Sequence, residues 1–500
     1  MEGKMRRRLV AFLVILILAA GFGYRYFQNS QGGNRRVELR EDGFYPKELT
    51  IRRGDVVEFV TTNGEPFWPA SNSHPLHKAY PEFDPKRPIP PHESWSFEFD
   101  KEGEWLYHDH LSAYFIGRIN VVGENEKIVI SVCSDLRKLP LEKKEQCWED
   151  MLNDALLQKG VKYAFQVFTQ IYASDPDFIL TSCHQHAHTI GDFAYAEYRK
   201  SQELEKLELP PETVYCNYGF YHGFIGHMIE DNPDPQVVYE TCDFLEKKYN
   251  KTIPEIRQSC YHAAGHGLVP EPLSEKQWGD AQAMIANGLT VCDQVSTMET
   301  DVRQCLDGVF NVIAIWTYSE EYGLKPDEAH PFSFCEQQAN ESHLQACLYE
   351  LAMPLTRYVR QIADLTPVIK RYISVIKDEN AAKIIINAFV AGSVTQSLVN
   401  DEIENYIAVC RALKAQWQES CFRGVAGGLV AHGHPGQEHL KGFAYCLSRK
   451  FSAEEQWQCF GYLFNALHWV YNDEKIIELC GLIPENYRTA CFLPLTATPS

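Results

Sequence analysis

The pattern of apolar and polar residues changes near residue 124. Before that point the period is two, as in SWSFEFDKEGEWLYH at residues 94–108, which alternates on both sides of a Lys-Glu-Gly turn. Such alternation is typical of strands that bury one face. We therefore predict a small antiparallel β-sandwich over residues 37–123.

Beyond residue 124 the apolar positions recur about every 3.6 residues. Examples are WEDMLNDALLQKGVKYAFQVFTQIY at residues 148–172 and AAKIIINAFVAGSVTQSLV at residues 381–399. This period predicts amphipathic helices. The fold class we expect is multidomain, with the β-sandwich followed by an all-α domain over residues 124–500.

The sixteen cysteines form eight couples. Six of these couples belong to a weak repeat, and within each of the six the two cysteines are about a dozen residues apart. Cys-x-x-Cys, the usual spacing of a zinc site, does not occur. We predict sequential disulfides that staple stacked helical hairpins, in an oxidising compartment. The couples are Cys133 and Cys147, Cys183 and Cys216, Cys242 and Cys260, Cys292 and Cys305, Cys335 and Cys347, Cys410 and Cys421, Cys446 and Cys459, and Cys480 and Cys491.

The chain begins MEGKMRRRLVAFLVILILAAGFGYRYF, a basic tail at residues 1–8 and an apolar segment at residues 9–27. The arginines favour a cytoplasmic N-terminus by the positive-inside rule. We expect a single-pass anchor in the cell membrane, a linker at residues 28–36, and the bulk of the chain outside the cytoplasm.

A cleaved signal peptide is the alternative for this segment. Its apolar run is short, and Ala19, Ala20 and Gly21 offer the small residues that a signal peptidase accepts. The protein would then be secreted. Both alternatives place the cysteines where disulfides form.

The formal charge of −20 excludes one class of partner. Nucleic-acid binding needs a basic stripe, and the sequence offers a dense basic cluster only at residues 6–8. We expect no nucleic-acid partner.

Two segments of the β-domain resemble the cupredoxins, the copper-binding family of plastocyanin and the multicopper oxidases. They are FYPKELTIRRGDVVEFVTTN at residues 44–63 and GEWLYHDHLSAYFIGRINV at residues 103–121. The resemblance implies blue-copper ligands at Phe67, Asp109, Ser112 and Phe115, where the family has His, Cys, His and Met. All four are replaced, so we expect no blue-copper centre.

A different set of histidines lies in the same segments. His108 and His110 are two apart on a strand and share a face, while Asp109 points away as a ligand or as a buried hydrogen-bond acceptor. His74 and His77 lie on a proline-containing loop that the resemblance places beside the closing hairpin. Because imidazole suits Cu(II) and Zn(II), we predict a non-blue copper site, with zinc as the other option.

The competing hypothesis is a β-domain without metal. In that case Phe67 and Phe115 fill the former copper cavity. We expect Trp68, Trp95 and Tyr107 to belong to the sandwich core in either case, together with Trp105.

A second group of histidines lies in the helical part, near glycines and repeat cysteines. Two pairs have the i, i+4 spacing that puts both rings on one face of a helix. Tight Gly/His contacts between helices are the alternative explanation, because glycine in a helix costs about 1 kcal/mol relative to alanine. The possible second metal site comprises His184, His188, His222, His227, His262 and His266.

These observations favour a membrane-anchored, extracytoplasmic metal-binding protein that exchanges copper with a donor, an acceptor or another envelope protein. Two other hypotheses stay open at this point. One is a metal-free envelope interaction scaffold, and the other is a copper-dependent oxidoreductase that uses histidines of both domains. The sequence contains no nucleophile elbow, P-loop or His-Glu-x-x-His motif, and it does not decide whether the protein is an enzyme.

Overall fold

The computed structural model describes residues 35–122 and 139–492, except residues 42, 73–76, 78, 182, 254, 271–274, 360, 375, 401, 434, 435 and 469. Contacts divide the chain into two compact units, a β-rich one and a helical one. The anchor segment at residues 9–27 and His74 lie outside the described residues. Within the described part, no helix has both the length and the apolar character needed to cross a membrane.

The β unit contains eight strands in two four-stranded sheets. One sheet has the order β2-β1-β4-β6 and the other β3-β8-β7-β5. The strands are β1 Arg36–Arg40, β2 Gly43–Tyr45, β3 Glu48–Arg52, β4 Asp55–Thr61, β5 Pro69–Ser71, β6 Ser94–Phe99, β7 Gly103–Asp109 and β8 Ser112–Val122.

Both sheets are mixed, which corrects the prediction of an antiparallel sandwich. β1 pairs with β4 in parallel, and β3 pairs with β8 in parallel. The chain leaves the first sheet after β2, adds β3 to the second sheet, and returns as β4 beside β1. Such crossovers allow parallel pairs, whereas the alternating sequence pattern reports burial and not strand direction.

Aromatic side chains fill the space between the sheets. Phe59, Phe67, Phe83 and Tyr107 are fully buried in one cluster. The predicted core aromatics Trp95 and Trp105 are partly buried and pack against this cluster, and so does Phe115. Trp68 is buried.

The helical unit contains seventeen helices among its described residues. Short 3₁₀ turns, such as Pro211–Val214 and Met353–Tyr358, connect several of them. The helices are α1 Leu141–Lys159, α2 Val161–Ser174, α3 Pro176–Thr181, α4 Cys183–Ser201, α5 Tyr215–Asp231, α6 Pro235–Tyr249, α7 Ile256–Gly267, α8 Ala281–Cys292, α9 Glu299–Ser319, α10 Glu341–Ala352, α11 Ile362–Ile373, α12 Glu379–Asn400, α13 Asn405–Arg411, α14 Ala415–Ala431, α15 Glu438–Cys446, α16 Ala453–Leu467 and α17 Asp473–Leu482.

One row of helices runs through this unit, each packed on the next: α4, α5, α7, α9, α10, α12, α14 and α16. Flanking helices such as α6 and α8 lie against the row and are joined to it by disulfides. Seven disulfides have the predicted sequential pairing. They are Cys183–Cys216, Cys242–Cys260, Cys292–Cys305, Cys335–Cys347, Cys410–Cys421, Cys446–Cys459 and Cys480–Cys491.

The eighth couple is described only in part. Cys147 is disulfide-bonded, but Cys133 lies outside the described residues. Closing a loop of about a dozen residues contributes about 3 kcal/mol per bridge in the chain-entropy model.

Candidate metal centres

Glycines bring α4, α5 and α7 into close contact. A Cβ atom on Gly223 of α5 would lie 2.5 Å from the carbonyl oxygen of His188 on α4. A Cβ atom on Gly267 of α7 would lie 2.0 Å from the carbonyl oxygen of Gly226 on α5. Because real side-chain carbons do not approach an oxygen so closely, only glycine permits these helix crossings.

Five half-buried histidines converge where these three helices meet. They form two groups, each with one ring nitrogen per residue and all such atoms within 4.8 Å of one another, and His222 belongs to both. The first group is His184, His188 and His222, and the second is His222, His262 and His266. The i, i+4 spacing supplies two histidines from α4 and two from α7, and the helix packing adds the fifth from α5.

Two separations in the first group match those between ligands of one ion. Nε2 of His188 lies 3.1 Å from Nε2 of His184 and 3.1 Å from Nδ1 of His222. Nitrogens bound to one ion at about 2.0 Å are about 2.8 Å apart in a square-planar site and about 3.3 Å apart in a tetrahedral one. The observed separations fall between these two values.

Hydrogen bonds alone do not account for both contacts. Nδ1 of His184 lies 2.7 Å from the carbonyl oxygen of Cys216, an acceptor, so Nδ1 carries the hydrogen and Nε2 carries a lone pair. A hydrogen on Nε2 of His188 points in one direction and satisfies one of its two neighbours. A cation in the centre would satisfy all three lone pairs at once.

The carbonyl of Cys216 is aimed at His184 by an unusual turn. Cys216, Asn217 and Tyr218 have φ values of 58°, 54° and 58°, so three consecutive residues other than glycine are left-handed. Each costs about 1–2 kcal/mol in this conformation. The turn fixes the tautomer of His184 in the way that carbonyl groups orient histidine ligands in metal sites.

The second group has stacked rings. The ring centroid of His222 lies 4.2 Å from that of His266 and 5.1 Å from that of His262. Nε2 of His266 is buried, and among the described residues it has no hydrogen-bond partner. The Asn311 side chain interacts with the same ring, and Nδ2 of Asn311 donates to Oε2 of Glu350 at 2.6 Å.

Burial favours the neutral form of four of these imidazoles. It lowers the pKa of His262 to about 4 and lowers the pKa values of His184 and His266. Burial, followed by repulsion from the neighbouring histidines, holds the pKa of His222 well below its usual range. Neutral imidazole is the form that binds metal, so protons compete weakly for this cluster.

His227 lies outside both groups, although it belongs to the predicted second site. Its ring nitrogens face Oδ1 of Asp192 at 3.4 Å and Oε2 of Glu230 at 3.2 Å. His222 and His227 are five residues apart on α5, so their side chains point about 140° apart around the helix. His227 therefore takes part in an ion-pair network.

A cavity of about 1370 Å³ borders the cluster and is lined by His184 and His262. Part of its wall comes from one repeated register. The residues two and six positions after the second cysteine of a repeat face the cavity in several repeats. They include His262, Asp307, Tyr349, Met353, Arg423, Gly427 and Asn465.

This register is visible in the sequence. Aligning the repeats on their second cysteines places His262 and His266 in the same columns as Asp307 and Asn311. These columns line the cavity in several repeats, whereas histidine content marks only one region of it.

Buried acids also line the cavity. Burial raises the pKa of Glu255 to about 8, and the Tyr218 hydroxyl donates to its Oε2 at 3.4 Å. Burial likewise raises the pKa of Glu350 to about 8. Burial therefore favours the neutral form of both carboxyl groups.

A third group of histidines carries the metal prediction for the β-domain. His77, His108 and His110 are buried, and one ring nitrogen from each lies within 4.8 Å of the others. Nδ1 of His108 lies 2.9 Å from Oδ1 of Asn72. Three imidazoles are a donor set that suits Cu(II) or Zn(II).

Asp109 is a buried hydrogen-bond acceptor, which is one of the two roles predicted for it. Its Oδ1 accepts a hydrogen bond of 2.7 Å from the backbone N–H of Trp68. The backbone N–H of His110 donates to the carbonyl oxygen of Trp68, also at 2.7 Å. These two bonds fix the end of β7, beyond which His110 lies.

The chain is similar to known proteins among solved structures. No protein-family model and no curated protein matches the chain. Among solved structures it is similar to a novel purple cupredoxin from Nitrosopumilus maritimus, which is 14% identical and covers 17% of this chain and 98% of that one, with a TM-score of 0.15. It is also similar to a mutant plastocyanin of fern, solved oxidised and reduced, at 19% identity, 17% and 99% coverage, and a TM-score of 0.15. These structural neighbours are cupredoxins, at a low TM-score over a small part of the chain.

Proposed function

We propose that this chain is a metal-binding protein whose principal centre is the five-histidine cluster of α4, α5 and α7. The bound metal is Cu(II) or Zn(II), because the donors are neutral imidazoles. The observation that carries the proposal is the pair of 3.1 Å contacts at Nε2 of His188, which a central cation satisfies and a single proton does not.

We also propose a second, non-blue site of the same chemistry at His77, His108 and His110. The cupredoxin-like sequence segments and the donor set support it. Zinc or copper there would be held without thiolate, since the described residues include no free cysteine.

We also propose that the protein acts outside the cytoplasm, at the membrane. The basic tail and apolar segment at residues 1–27 favour a membrane anchor with the rest of the chain outside the cytoplasm. The seven disulfides described in full, all in the helical unit, suit an oxidising compartment. There the protein would receive metal from a donor or pass it to an acceptor.

Metal analysis of the full-length chain tests the proposal. After loading with Cu(II) or Zn(II) and removal of free metal, we expect wild type to retain metal. We expect His188→Gln to retain less, while His186→Gln, on the same helix but outside both groups, retains the wild-type amount. A wild-type protein that retains no metal would instead support the metal-free scaffold.

A further inference from the structure

We infer that the five-histidine cluster binds two metal ions and that His222 bridges them. This inference rests on the proposed function, since it assigns a nuclearity to the same cluster. The ions are of the copper and zinc class, and each would be held by three imidazoles, with the ring of His222 common to both sets.

The sharing of His222 is the first step. Both three-histidine groups include it, and its Nδ1 faces the first group, 3.1 Å from Nε2 of His188. One nitrogen lone pair binds one ion. Nε2 of His222 is therefore the atom left for the second group, with His262 and His266.

Each group also has its own outer support. In the first, the carbonyl oxygen of Cys216 holds Nδ1 of His184 at 2.7 Å. In the second, Asn311 interacts with the His266 ring and is itself held by Glu350 at 2.6 Å. Histidines on both sides of His222 therefore have the outer partners that metal-bound imidazoles usually have.

The second group contains a buried ring nitrogen that a metal ion could bind. Nε2 of His266 is buried and has no hydrogen-bond partner among the described residues. A buried polar atom without a partner costs about 1–3 kcal/mol unless something binds it. An ion between His222, His262 and His266 would bind it.

The two proposed metal sites would border the same cavity. His184 belongs to the first group and His262 to the second, and both line the cavity of about 1370 Å³. Three protein ligands leave a tetrahedral ion one position for an exogenous ligand. Small anions that coordinate metals, such as azide, are the class of molecule we expect to bind there.

Bridging has a consequence for protons. A neutral imidazole has one N–H. If both of its nitrogens coordinate a metal ion, this proton must leave to solvent. Loading the second ion therefore releases one proton from His222. Its release appears in calorimetry as a dependence of the binding enthalpy on the ionisation enthalpy of the buffer.

The experiment counts Cu(II) bound to the full-length chain and to four variants. We expect His188→Gln and His266→Gln each to lose one equivalent relative to wild type, and His222→Gln to lose two. His186→Gln, the matched control on α4, should lose none. Because metal bound elsewhere is common to all five proteins, the differences report the cluster alone.

Electron paramagnetic resonance gives an independent readout. Two Cu(II) ions joined through one imidazolate are magnetically coupled, so we expect fewer spins than bound copper in wild type. His188→Gln and His266→Gln, which each lose one equivalent of copper, should give as many spins as bound copper atoms. Azide should alter the wild-type spectrum.

The outcomes separate the two proposals. If every ligand variant loses the same single equivalent, the cluster is mononuclear and the two-ion inference is overturned while the proposed function stands. If no variant differs from wild type, the cluster binds no copper and both fail at this site. Circular dichroism identifies a variant that has not folded, and His222→Asn then replaces His222→Gln.

Discussion

Nδ1 of His184 lies 2.7 Å from the carbonyl oxygen of Cys216, and the residue that precedes His184 is disulfide-bonded to Cys216. One short segment of α5 is thus tied to one turn of α4 by a covalent bond and by a hydrogen bond to a candidate ligand. The left-handed backbone at Cys216 is what directs its carbonyl group at the ring. The disulfide is consequently part of the support of the candidate metal centre.

Removing this disulfide should weaken metal binding. We expect the double change Cys183→Ser, Cys216→Ser to lower the affinity of the cluster for Zn(II) about 10- to 100-fold, the range for loss of an outer support. The physical reason is that the left-handed turn can relax and withdraw its carbonyl group. Competition with a chromophoric chelator measures the affinity.

A second double variant separates this effect from general destabilisation. Cys480→Ser, Cys491→Ser removes the last disulfide, which joins α17 to the C-terminal 3₁₀ turn Glu485–Phe492. Both variants should melt at a lower temperature. Equal losses of affinity in the two would contradict a specific role for Cys216.

The sequence predicted the histidines that come together on one helix and not those that meet between helices. His184 with His188, and His262 with His266, follow from the period of 3.6. The meeting of both pairs at His222 depends on how far apart the helices lie and on their register along each other. Apolar periodicity contains neither quantity.

Two other differences have the same origin. His227 is near His222 in sequence, but five residues of helix turn it to another face, toward Asp192. The alternating pattern of the β-domain predicted strands and their buried faces, but it does not encode parallel pairing such as that of β1 with β4. The glycines were the one sequence signal of close helix packing, and the structure confirms it.

The helix crossing at Gly223 should be sensitive to one methyl group. In Gly223→Ala the new Cβ would meet Oδ1 of Asp192 at 2.4 Å and the carbonyl oxygen of His188 at 2.5 Å. The helices α4 and α5 must then move apart, at a cost of about 1–3 kcal/mol. We expect a lower melting temperature and at least about tenfold weaker Zn(II) binding, because the His188–His222 contact lengthens.

Gly481→Ala is the matched control. A Cβ on Gly481, in α17, would have nothing within 4 Å. Because alanine favours helix over glycine by about 1 kcal/mol, this change should leave metal binding intact and raise stability slightly. Normal Zn(II) affinity in Gly223→Ala would show that the cluster does not depend on this crossing.

The β unit should bind Cu(II) without intense blue colour. No thiolate is available for charge transfer to copper, so the absorption of a blue-copper protein is not expected. We expect the double change His108→Ala, His110→Ala in the full-length chain to remove one equivalent of Cu(II) and to leave the helical cluster loaded. Calorimetric titration against wild type tests this, and equal binding by the two proteins would place the site elsewhere or exclude it.

The cavity acid Glu255 should make stability depend on pH. Burial raises its pKa from the ordinary value of 4.5 to about 8 in the folded protein. Between these values the unfolded chain has lost a proton that the folded chain retains, so stability falls as pH rises from about 4.5 to 8. Glu255→Gln keeps a neutral side chain at every pH and removes this loss. We therefore expect the metal-free variant to match wild type near pH 4.5 and to be more stable by about 1 kcal/mol or more at pH 8.5.

Melting temperatures across this pH range, measured with a chelator present, test the expectation for Glu255. Other titrating groups, including Glu350 and the histidine cluster, are common to both proteins and cancel in the difference. A difference between Glu255→Gln and wild type that stays constant with pH would mean that Glu255 ionises normally in the folded protein, and the cavity would then carry its negative charge at pH 7.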